Sequence, residues 1–174
     1  MDLWDAASDQ KQTPHCTLFA ISRAISECCK EFKFTVSSEK IRQYLQDLQQ
    51  VKSGIGRGWK PGEFNKLTLP RCMNDDGAIR ELKIMVALSE EYDFNSEHVV
   101  WDNRKTKEIP DHCMYVLCLL EQYKQPKFLC LDSATTVGER KHRFPTIPTN
   151  KNGNELYHIR TVVQSKFTSP KAPV

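Results

Sequence analysis

The sequence predicts an α+β domain in which an N-terminal helical half, about residues 5–92, precedes a C-terminal antiparallel β half, about residues 97–168. From Thr13 to about Tyr92 the apolar residues recur at helical spacing, and from about Glu97 onward the spacing shortens toward strand-like alternation. Size supplies a third observation. With 174 residues, 39% of them hydrophobic, the chain can bury one core and is too short for two ordinary domains, so residues 1–174 read as a single domain.

The first helix follows from "TPHCTLFAIS", where Thr13 suits an N-cap and Pro14 the first helical position, at which a missing N–H costs nothing. Leu18, Ile21, Ile25, Cys28 and Phe32 then share one face. The second helix is "SSEKIRQYLQDLQQV", capped by Ser37 or Ser38, with Ile41, Tyr44, Leu45, Leu48 and Val51 as its apolar stripe. A third is expected from roughly Asp76 to Glu91. Between the last two, "SGIGRGWKPGEF" has four glycines and a proline, which argue against regular structure and let another chain approach the backbone. In the second half "EHVVW", "HCMYVLCLLE", "KFLCLDS" and "YHIRTVVQS" are rich in β-branched and aromatic residues and read as strands.

Composition narrows the function. A net charge of +3 is mild, and the basic residues are interspersed with acids, so no nucleic-acid partner is expected. The longest apolar run, "MYVLCLL", falls far below the roughly 20 residues of a bilayer-crossing helix, so no membrane span is expected. "MDLWDAASDQ" is acidic and lacks the regions of a secretory signal. The seven cysteines are odd in number and show no C-x-x-C zinc spacing. Reduced thiols in the cytoplasm or another reducing intracellular compartment are the expectation, with neither a metal nor a cofactor.

Cys16 is the candidate nucleophile. A thiol attacks as thiolate, and the first turn of a helix, with its unpaired N–H groups and positive dipole end, favours that anion. Nucleophilic catalysis also needs a base, a group to orient it and oxyanion donors. "DHCMYVLCLLEQYKQPKFLCLDSATT" puts His112 at a strand start and Asp132 at the end of the next strand. His158, in "YHIRTVV", is the rival base but has no aspartate or asparagine after it, while His15, His98 and His142 read as surface residues. Two hairpin registers bear on Asp132. A tight turn near Lys124 pairs it with Val116, whereas pairing Met114 with Cys130 and Val116 with Phe128 brings it opposite His112.

"DQKQTPHCTLFAIS" resembles the start of papain-like cysteine proteases, Asp-Gln-Gly then Ser-Cys-Trp-Ala-Phe-Ser, with Asp9, Gln10, Cys16 and Phe19 matching at the same spacing. "VSSEKIRQYL" is similar to the family's Leu-Ser-Glu-Gln-x-Leu-Val segment, and "IGRGWKP" to its Cys-Asn-Gly-Gly-Tyr-Pro loop. "DHCMYVLCL" and "KFLCLDSAT" resemble its Asp-His-Ala-Val strand and its Lys-Asn-Ser-Trp-Gly strand. The resemblance covers about residues 5–140. Thr17 stands in place of the tryptophan after the cysteine, Asp132 in place of the asparagine and Ala134 in place of the tryptophan beyond it, and the family's disulfides and prodomain are missing.

The resemblance implies a papain-like fold whose helical and barrel-like halves flank a cleft, with Cys16 and His112 facing across it. It further implies Asp132 as orienter, Gln10 as oxyanion donor, and Gly58 with Trp59 as substrate-binding residues. The expected function is hydrolysis of peptide or isopeptide bonds in a polypeptide substrate by a Cys-His-Asp triad. The alternatives are a related acyltransferase or deamidase, and an inactive papain-like module that only binds.

Overall fold

A computed structural model of the chain describes residues 16–53, 61–89, 98–102, 113–118, 128–131 and 155–164. Two helices come first, α1 (Cys16–Lys30) and α2 (Ser38–Ser53), then a single 3-10 turn at Pro61–Phe64. Six strands follow: β1 (Leu67–Met73), β2 (Ile79–Ser89), β3 (His98–Asp102), β4 (Cys113–Cys118), β5 (Phe128–Leu131) and β6 (Glu155–Gln164). They form one antiparallel sheet in the order β1-β2-β6-β3-β4-β5, so the α+β class holds. No helix among the described residues is long and apolar enough to cross a membrane.

The helical half is shorter than the sequence suggests. The stretch expected to form a third helix is strand β2, paired with β1 on one side and β6 on the other. The turn before it explains why. Asn74 Oδ1 accepts hydrogen bonds from the Asp76 and Ala78 amides at 3.1 and 2.8 Å, and Gly77 takes a φ of 84°, which reverses the chain instead of nucleating a helix. The glycine-rich segment is also not wholly irregular, since Pro61–Phe64 makes a 3-10 turn that buries Pro61 and Phe64.

The four later strands agree with their sequence candidates. α1 buries Leu18, Ile21, Ile25 and Cys28 as its spacing requires, but the helix ends before Phe32, which is 52% exposed. α2 is capped by Ser37, whose Oγ accepts from the Lys40 amide at 3.2 Å. Ile41 and Leu45 enter the core, and Tyr44 and Leu48 flank it. The expected cap at Thr13 and Pro14 lies outside the described residues.

One side of the sheet carries the core. Leu67, Leu69, Leu82, Ile84, Val86, Val100, Tyr115, Tyr157 and Ile159 share a cluster with α1 and α2. These residues alternate along their strands and stand opposite one another across them, which defines the helix-covered face. α1 packs on β6, β3 and β4, while α2 reaches β1.

Candidate functional site

Cys16 opens α1, at the end where backbone N–H groups lack carbonyl partners within the helix and the dipole is positive. It is only 7% exposed and belongs to the core cluster. Thr17, at the position where papain-like proteases have tryptophan, is fully turned inward at 1% exposure. Phe19 is half-buried, with the Arg42 guanidinium of α2 4.0 Å above its ring, a cation–π contact joining the two helices.

The direction of α1 over the sheet follows from its C-terminal end. Cys28 Sγ lies 3.4 Å from the Ile159 carbonyl oxygen, and Glu31, just past the helix, places Oε1 2.8 Å from His98 Nε2. His98 opens β3 and stands opposite Leu117, near the end of β4. Three strands span about 10 Å laterally, whereas a helix of this length spans about 22 Å, so α1 must run largely along the strands it covers. From the Leu117 row, β4 extends toward Cys113. The first residue of α1 is therefore directed toward the end of the sheet at which β4 begins and, since Tyr115 pairs with Leu131, at which β5 ends.

Gln10, Gly58, Trp59, His112 and Asp132 lie outside the described residues. His112 precedes the first residue of β4 in sequence, and Asp132 follows the last residue of β5. Neither expected hairpin register occurs. Val116 pairs with Cys130, one step away from both the tight-turn register and the one that would pair Met114 with Cys130. The rival base is turned elsewhere. His158 alternates with Tyr157 and Ile159 of the core face and so occupies the side of the sheet away from α1 and Cys16.

His98 corrects a surface assignment, being only 8% exposed. Its Nε2 meets Glu31, its Nδ1 lies 3.1 Å from the Tyr115 hydroxyl, and its ring stacks on Tyr115 at 15°. This network was missed by sequence reasoning, although one signal was available: His98 and Val100 are two apart, so a strand that buries Val100 turns His98 to the same face.

The other described cysteines are buried as well. Burial pushes the Cys28 and Cys72 thiols up to about 12 and raises that of Cys29 further. They form no disulfide among the described residues. An antiparallel sheet covered by a helix that opens on a cysteine is compatible with thiol chemistry but does not define a protein class. In comparisons with known proteins, the chain matches no family model, no curated protein and no solved structure.

Proposed function

We propose that this chain is a papain-like thiol hydrolase that cleaves peptide or isopeptide bonds. One observation carries the reading: Cys16 opens a helix directed toward the sheet end where β4 begins and β5 ends, and His112 and Asp132 adjoin those two strand ends in sequence. In this mechanism Cys16 Sγ attacks the substrate carbonyl as thiolate, while Gln10 and the Cys16 N–H hold the oxyanion. His112 gives its proton to the departing amine. Asp132 keeps the imidazole in the required tautomer, and water attacks the thioester with His112 as base to release the acid. Acyl transfer or glutamine deamidation would use the same groups with a different acceptor or donor.

The 7% exposure of Cys16 favours a second reading, in which the fold persists as a binding module without turnover. Active-site titration with a thiol-directed, peptide-like covalent inhibitor separates the two. The hydrolase should be labelled stoichiometrically at Cys16, with labelling abolished in Cys16→Ala. Equal labelling of Cys16→Ala, or no labelling of the native chain, supports the binding module.

A further inference from the structure

We infer that Glu31, His98 and Tyr115 form a clamp that sets the axial position of α1 on the sheet, making them positioning residues for Cys16 at the helix's other end. The inference depends on the proposed hydrolase only for its chemical readout. Most of the α1–sheet interface is apolar, with Leu18, Ile21 and Ile25 set against Val100, Tyr115, Tyr157 and Ile159. Apolar burial is non-directional and tolerates sliding, whereas a hydrogen bond survives only within a narrow range of distance and angle.

Two side-chain hydrogen bonds tie the C-terminal end of α1 to the sheet, one from Cys28 and one at Glu31 just past the helix. A carboxylate only accepts, so His98 Nε2–H donates to Glu31, while Nδ1 of the same ring hydrogen-bonds the Tyr115 hydroxyl. One imidazole thus links the end of α1 to β3 and to β4, the strand that His112 precedes. Glu31 is itself held by the closing turn of the helix, where the Phe34 amide bonds the Cys29 carbonyl and the Lys33 amide that of Lys30. A rigid helix fixed at one end carries the constraint to its first residue.

The test uses the full chain and variants that spare the fold. Glu31 is half exposed and lies at the opposite end of the helix from Cys16, so Glu31→Ala removes the acceptor without touching the thiol, while Glu31→Gln keeps an oxygen acceptor. Tyr115→Phe removes only the hydroxyl. Iodoacetamide alkylation of Cys16, followed by peptide mapping across a range of pH, should slow roughly tenfold in Glu31→Ala and Tyr115→Phe, with the pH–rate profile displaced, and recover in Glu31→Gln. Wild-type profiles in both Glu31→Ala and Tyr115→Phe would overturn the clamp. If native Cys16 alkylates no faster than an ordinary thiol, the hydrolase reading fails separately, and heteronuclear NMR decides the clamp. Displaced amide resonances from Thr17 to Ala20 in Glu31→Ala support it, and unmoved ones reject it.

Discussion

Cys16 and Cys28 lie near opposite ends of one helix, and both are buried. Cys16 sits at the end where the helix dipole favours an anion, while burial penalises the thiolates of Cys28, Cys29 and Cys72, with Glu31 adding to the penalty on Cys28. Below the ordinary value of 9.0, folded and unfolded chains both keep these three protons and stability is unaffected. Above it the unfolded chain releases protons that folded Cys28 and Cys72 hold up to about 12. Stability therefore falls through that window, by up to about 1.4 kcal/mol per pH unit for each thiol. Urea denaturation at a series of alkaline pH values should show this decline, and Cys72→Ala should shallow the slope by one thiol's share. An unchanged slope in Cys72→Ala would mean that its thiol titrates alike in both states. The α1 stripe made the burial of Cys28 legible, whereas that of Cys72 depends on β1, which the sequence reading missed.

Local signals succeeded where one element decides its own conformation and failed where pairing decides. The α1 and α2 stripes needed only helical periodicity, and Ser37 needed only its place ahead of an apolar run. β2 is the counterexample, because "AIRELKIMVALS" contains good helix formers, while Leu82, Ile84 and Val86 also alternate. The contest is settled by two neighbouring strands and by the Asn74 turn. Asn74 is buried and its Oδ1 serves two amides, so Asn74→Ala should cost about 2 kcal/mol through two lost hydrogen bonds, measured by chemical denaturation. The end of α1 makes the opposite prediction. Lys33 is exposed and occupies the left-handed region at φ 56°, where a Cβ is unfavourable by about 1 kcal/mol. Lys33→Gly should raise the denaturation midpoint, since glycine closes this turn without that strain. A lowered midpoint would show that glycine's added unfolded-state entropy outweighs the relief.

At the scale of the whole molecule, a triad drawn from residues 16, 112 and 132 requires distant segments to meet at one end of the sheet. The strands that His112 precedes and Asp132 follows were legible in the sequence. The register was not, because a period-two pattern specifies which face a residue takes but not how far a hairpin slides in steps of two. The observed pairing of Tyr115 with Leu131 brings the start of β4 and the end of β5 to the same end of the sheet, toward which α1 carries Cys16. In the proposed mechanism Asp132 orients the His112 imidazole, a role that asparagine fills in Cys-His-Asn proteases. Asp132→Asn should therefore keep most of the activity on a reporter peptide, because its amide oxygen still accepts from the ring N–H. Asp132→Ala should lower kcat/KM by roughly 10²-fold or more, as expected when a catalytic base is left unoriented. Steady-state kinetics of the two variants, alongside far-ultraviolet circular dichroism to establish that both fold, distinguishes orientation from charge. Equal loss in both would assign the role to the carboxylate's charge, and full activity in Asp132→Ala would remove Asp132 from the site.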